Sequence, residues 1–176
     1  MPEAGAHGTA LIGIGSNLGD PIGHVLGALA ALGRIPESSL LARSRLYRTV
    51  PWGITEQPPF VNAVAELATT LSAQALLAHL LVIERAHGRR RDGSRWGPRS
   101  LDLDLLALGD LQLDEPGLTL PHPHLASRAF VLVPLAELGT ERAIVGVGRV
   151  GELLARVDAS GCVPVAALEI GRSDAE

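Results

Sequence analysis

Lysine is missing: all 15 basic residues are arginine. That excludes Schiff-base chemistry and the phosphate-binding lysine of P-loop enzymes. Cys162 is the sole cysteine, so neither an internal disulfide nor a thiolate metal cluster can form within the chain. Aromatic residues make up 3% and the formal net charge is -4, a poor match for a broad basic face that stacks nucleic-acid bases. No apolar run reaches the length of a membrane span, and Met1-Pro2-Glu3-Ala4-Gly5-Ala6-His7 lacks the basic and apolar regions of a signal peptide. A cytoplasmic protein is expected, with no membrane and no nucleic-acid partner. What remains is a chain of 176 residues, 47% hydrophobic, long enough for one domain over 1–176 with 1–8 and 171–176 frayed.

The charge that is present is concentrated. Arg89, Arg90, Arg91, Arg95 and Arg99 lie in one short segment, and guanidinium groups bind phosphate bidentately. In an acidic chain such a cluster suits a small anionic ligand. It runs directly into Leu101-Asp102-Leu103-Asp104-Leu105, which alternates as a strand does. Asp102 and Asp104 should share one face, about 7 Å apart along the strand, with the leucines on the other. Two carboxylates so held can bind one or two Mg²⁺ ions that also carry substrate phosphates.

Thr9 to Gly15 reads as a first strand whose glycines allow close approach of backbone or ligand. Asp20 then Pro21 is an N-cap followed by proline at N1, and Gly33 is a stop. Gly13-x-Gly15-x-x-Leu18 lacks the third glycine of a dinucleotide fingerprint. A second strand is expected from Ser38 to Val50 and a third from Phe60 to Leu67, with Phe60, Asn62 and Val64 on one face. Ser72 caps a helix ended by Gly88. A strand from Ser100 to Ala107 follows, then a hairpin of 111–113 with 118–120. A helix capped by Ser127 and running to Leu138, and a short one at 149–156, close the order. This pattern predicts an α+β, ferredoxin-like antiparallel sheet with helices packed on one face, plus an appended hairpin and short helices. The opposite face is expected to be open for ligands.

Several segments together resemble the 6-hydroxymethyl-7,8-dihydropterin pyrophosphokinase family. They are Ile14-Gly15-Ser16-Asn17-Leu18-Gly19, Tyr47-Arg48-Thr49, Phe60-Val61-Asn62, Ile83-Glu84 with Gly88-Arg89, Arg95-Trp96-Gly97-Pro98-Arg99 with Leu101-Asp102-Leu103-Asp104, and Pro121-His122 through Arg128-Ala129-Phe130. The resemblance implies transfer of diphosphate from ATP to the hydroxymethyl oxygen of the reduced pterin; a monomer is expected. It implies that Asp102 and Asp104 bind Mg²⁺, two ions in all. It makes Arg89, Arg91, Arg95 and Arg99 phosphate-handling groups, with Arg89, Arg91 and Arg99 close to the chemistry. Thr49, Pro51, Trp52, Phe60, Asn62, Trp96 and Phe130 would surround the pterin. Glu84, His122 and Arg128 would serve the nucleotide. Pro123 departs from the aromatic phenol the family can carry there. No role follows from sequence for His7, His24, His79, His87 or His124.

Overall fold

The structure is a computed structural model that describes residues 8–50, 56–88 and 100–166. Its main sheet is antiparallel throughout. The strands are β1 (Thr9–Ser16), β2 (Ser38–Arg43), β3 (Tyr47–Thr49), β4 (Phe60–Thr69) and β5 (Asp102–Leu108). With a last strand, Cys162–Pro164, they run in the order Cys162–Pro164, β3, β4, β1, β5, and β2 pairs with β4 beyond β3. β1 and β4 are central, and β5 is bonded to β1 alone among the described strands.

Helices α1 (Pro21–Leu32) and α2 (Ala73–Ala86) cover one face. The Asp20 side chain accepts from the Gly23 amide, and the Ser72 side chain accepts from Ala75, so both caps operate as their residue types dictate. Val25, Ala28, Leu29 and Leu32 of α1 pack with Leu76, Leu80 and Ile83 of α2 over Ile12, Ile14, Ala63, Ala65, Leu103 and Leu105 of the sheet.

The opposite face is only half open, which corrects the expectation of a free ligand surface. Helices α3 (Ala129–Glu137) and α4 (Val150–Leu154) lie against it. Leu132, Leu135 and Val150 are each 0% exposed, and they cluster with Leu11, Val64 and Leu106 of the sheet. A helix as apolar as α3 must bury its surface, and this half of the sheet supplies the complement. Arg45 to Glu137 at 2.7 Å and Arg142 to Glu66 at 2.6 Å fasten the layer. Ser127 does not cap this helix: it ends a 3-10 turn at Leu125–Ser127, and Arg128 is the N-cap of a helix that starts at Ala129.

The stretch expected as one strand over 38–50 is divided. Arg43 pairs with Ala65 while Tyr47 pairs with Asn62, so three residues face two and the strand bulges. Buried Ser44 holds the bulge: its backbone amide reaches the Val64 carbonyl at 2.8 Å, and its hydroxyl accepts from the Val64 amide at 2.9 Å. A second shift opposite Leu11/Ile12 on β1 turns Leu106 and Ala107 of β5 to the α3 side together. Three pieces were not anticipated. These are the pair Ala143–Ile144 with Gly148–Arg149, and Cys162–Pro164 beside β3.

Ser44→Ala should leave the Val64 N–H buried and unsatisfied, a loss of about 1–3 kcal/mol. Urea unfolding monitored by circular dichroism would measure it, and an unchanged midpoint would mean that Ser44 does not hold the bulge.

Candidate active site

The pairing register brings the site together. Across the sheet, Tyr47 pairs with Asn62, Asn62 with Gly15, and Gly15 with Asp102. One step along, Val64 pairs with Gly13 and Gly13 with Asp104. Each aspartate therefore stands opposite a glycine. Strand spacing separates Asn62 from Asp102 by roughly 10 Å, with no side chain between them. The two glycines form the floor of a cavity of about 310 Å³ that has Asn62 and Thr49 at one end and Asp102 and Asp104 at the other. Phe60, Phe130, His122 and Arg128 complete its walls.

Asn62 is 5% exposed and its amide nitrogen donates to the Thr49 hydroxyl at 2.5 Å. An ideal Cβ on Gly15 would sit 2.7 Å from the Asn62 amide oxygen. Glycine is thus required at position 15 by contact, since the Asn62 amide cannot turn away without leaving Thr49. Ser16 and Asn17, next in the chain, secure the flanks. The Ser16 hydroxyl donates to the Ser100 carbonyl at the approach to β5, and the Asn17 amide donates to the Gln57 side chain at 2.9 Å and the Pro58 carbonyl at 3.0 Å.

Asp102 and Asp104 share the cavity face, while Leu101, Leu103 and Leu105 are buried on the helix side. Two carboxylates on one rigid strand are hard oxygen donors of the kind that suits Mg²⁺. Arg128, 6% exposed, has its guanidinium 3.8 Å from an Asp104 oxygen and 5.4 Å from the Phe130 ring centre. This places a cation at the acidic end and against one aromatic wall.

His122 stands between this cavity and a second one of about 270 Å³, lined by Leu77, Leu105 and Leu118 among others. Asp104, His122 and Pro123 belong to both. The His124 amide donates to Nδ1 of His122 at 3.1 Å, so the proton of the neutral ring is on Nε2. Burial, then the neighbouring Arg128 and His124, push the His122 pKa down to about 4 against a smaller opposing pull from Asp102. The ring is therefore a neutral Nε2–H donor at physiological pH.

Glu84 lines neither cavity. It is 3% exposed, behind the sheet edge, and its Oε1 accepts from the Leu103 amide at 2.8 Å. Pro51, Trp52, Arg89, Arg91, Arg95, Trp96 and Arg99 lie outside the described residues. Gly13, Gly15 and His124 are part of the site without having been assigned to it from sequence. The glycines carried a signal, their close spacing on a strand; the backbone amide by which His124 bonds His122 carried none.

The family model for 7,8-dihydro-6-hydroxymethylpterin-pyrophosphokinase (HPPK) matches residues 11–140. The chain belongs to the HPPK family. It is 45% identical over 152 residues to the 2-amino-4-hydroxy-6-hydroxymethyldihydropteridine pyrophosphokinase of Methylorubrum extorquens, covering 86% of this chain and 95% of that protein. With the Pseudomonas aeruginosa protein of the same name it shares 47% over 144 residues, 82% of this chain and 88% of that one. The fold is similar to that of Plasmodium falciparum HPPK-DHPS crystallised with pteroate, at TM-score 0.67 and 13% identity, covering 85% of this chain. This chain spans 42% of the length of that one. The matched residues 11–140 include Gly15, Ser16 and Asn17, which form the floor and flanks of the cavity.

Gly15→Ala should raise the Kd of a ligand that contacts Asn62 by about tenfold to a hundredfold, the range for overpacking a tight contact. Isothermal titration would test this, with a thermal melt to check that the fold persists. For His122, an NMR titration of the imidazole should show a midpoint near 4 instead of the ordinary 6.5. The unfolded chain then binds the extra proton first, so the stability contributed by this group is complete above pH 6.5 and lost as pH falls from there toward 4.

Proposed function

We propose that this chain transfers the β,γ-diphosphoryl group of ATP to the hydroxymethyl oxygen of 6-hydroxymethyl-7,8-dihydropterin and releases AMP, a step of folate biosynthesis. The supporting observation is the pair of cavities meeting at Asp104 and His122. The reaction has two substrates whose reacting ends must touch, and the two spaces meet beside two carboxylates. The domain assigned to this work is the single unit 1–176.

The first cavity suits the pterin. Its ring is flat, and Phe60 and Phe130 line the space with apolar surface. Asn62 offers a carbonyl acceptor and amide donor to the aminopyrimidinone edge, oriented by Thr49. Pro51, Trp52 and Trp96 are assigned to the same substrate from the sequence. With the pyrimidine edge at Asn62, the hydroxymethyl group is directed along the glycine floor toward Asp102 and Asp104.

The second cavity suits the nucleotide base. Leu77, Leu105 and Leu118 give it apolar walls. The Leu103 amide points off the sheet edge, and by the two-residue alternation the N–H and C=O of Leu105 point the same way, so a base can pair with them. The triphosphate then passes His122 and Arg128. The neutral His122 donates from Nε2, and Arg128 supplies a buried cation. Arg89, Arg91, Arg95 and Arg99 approach the same phosphates in this reading, excluding water and stabilising charge as it moves.

Asp102 and Asp104 would hold Mg²⁺, and two ions are proposed. When bound, that group neutralises phosphate oxygens and orients the β-phosphorus for in-line attack. The hydroxymethyl oxygen forms a bond to the β-phosphorus, the bond from the β-phosphorus to the α,β-bridging oxygen breaks, AMP leaves with that oxygen, and the hydroxyl proton passes to solvent. The chain contributes orientation and charge balance in a site whose Thr49, Asn62, Asp102 and Asp104 sit on paired strands.

Product analysis with Mg²⁺, ATP and the reduced pterin should yield AMP and pterin diphosphate, whereas ADP would indicate single-phosphate transfer. Asp102→Asn and Asp104→Asn should each lower kcat by at least about a hundredfold with the fold intact. Unchanged turnover in both would remove these residues from the mechanism.

A further inference from the structure

We propose that Glu84 is a positioning residue, whose buried carboxylate clamps the Leu103 amide and thereby fixes how Asp102 and Asp104 face the substrates. The inference rests on the reading of those two aspartates as the acidic end of the active site.

Three observations carry it. First, β5 is held by hydrogen bonds to β1 on one side only among the described strands, and Asp102 is its first residue. Edges and ends are where a sheet opens most readily, because outward amides lack a ladder partner. A pair of carboxylates that must hold a fixed geometry is badly placed there unless something else restrains the strand. Second, Leu103 is the residue between the two aspartates, and its outward amide is the one taken by Glu84, at 2.8 Å. Restraining that amide fixes the peptide immediately after Asp102, one residue before Asp104. Third, Glu84 is 3% exposed on α2, and Leu80 and Ile83 of the same helix are anchored in the main core at 0% and 8%. The clamp is therefore mounted on a helix anchored in the main core.

Burying a carboxylate is costly, and a hydrogen bond from an amide to an anion is about twice as strong as a neutral one. An uncharged or shorter side chain would hold the amide less firmly. The Ser16 hydroxyl on the Ser100 carbonyl restrains the approach to β5, so the aspartates lie just beyond one pinned point and on either side of another. Neither Glu84 nor Ser16 lines either cavity, so the route from Glu84 to the aspartates runs through Leu103.

The test compares Glu84→Ala, Glu84→Gln and Glu84→Asp. It follows amide hydrogen exchange at Leu103 in the substrate-free protein, the Mg²⁺ concentration at half-maximal rate, kcat, and the KM for pterin. Glu84→Ala should speed Leu103 exchange at least tenfold, raise the Mg²⁺ requirement severalfold and lower kcat at least tenfold, with the pterin KM within twofold of the parent. Glu84→Gln keeps an oxygen acceptor and should recover most of the protection and most of kcat. Should Glu84→Ala not fold, Glu84→Asp, one methylene short, should show the same pattern in weaker form. Leu103 protection unchanged in both Ala and Asp variants overturns the proposal. So does a Gln variant with full protection and the activity loss of Ala, which would assign Glu84 a direct charge role. If Asp102→Asn and Asp104→Asn retain full turnover while Glu84→Ala still exposes Leu103, the site assignment fails and the clamp stands as structure alone.

Discussion

The register between β1 and its two neighbours is the constraint on which the site depends. Side chains that are distant in sequence, Asn62 on β4 and Asp102 on β5, face one cavity because both pair with the same residue of β1. That residue is Gly15, and its lack of a Cβ leaves the space between them open. A slip of one residue between β1 and β5 would send the aspartates into the helix-side core and the leucines into the cavity, and one between β1 and β4 would turn Asn62 into that core. The apolar load on the other face prevents that slip. Leu101, Leu103 and Leu105 are 0%, 4% and 4% exposed, so the core that stabilises the fold also determines which way the acidic groups point.

The two faces of the sheet divide the labour unevenly. One is closed by α1 and α2, whose capping and apolar spacing make them rigid supports. The other is closed at one half by α3 and α4, and the uncovered half is the cavity. α3 begins with Ala129 and Phe130, so the helix that seals the second core also delivers an aromatic wall and, just before it, Arg128. Packing and ligand recognition meet at this helix start. The same economy is seen at His122 and His124, where one backbone amide sets the tautomer of a ring.

Much of this was legible in the chain. The two-residue alternation around Asp102 gave the facing of the acidic pair, and Asp20-Pro21 and Ser72 gave the starts of α1 and α2. Phe60 and Asn62 shared a face for the same reason. What escaped was set by partners far away in sequence. The bulge at Ser44 arises from pairing with Val64, the docking of α3 from apolar surface on three strands, and the purpose of Gly13 and Gly15 from the aspartates opposite. Glu84 was visible as a glutamate near the apolar side of its helix. The Leu103 amide that it accepts from, main chain of another element, leaves no trace in composition or spacing. The roles given to Arg89, Arg91, Arg95 and Arg99 stand on sequence and resemblance.

A floor made of bare main chain has a bearing on how the protein can change. Where recognition depends on a side chain, substitution can trim or reshape it and let one molecule in while keeping another out. At Gly15 nothing can be trimmed, and the smallest addition already crowds Asn62. A flat competitor confined to that floor would occupy ground that the chain cannot alter without evicting its own substrate. Escape from such a competitor would have to come from the rim.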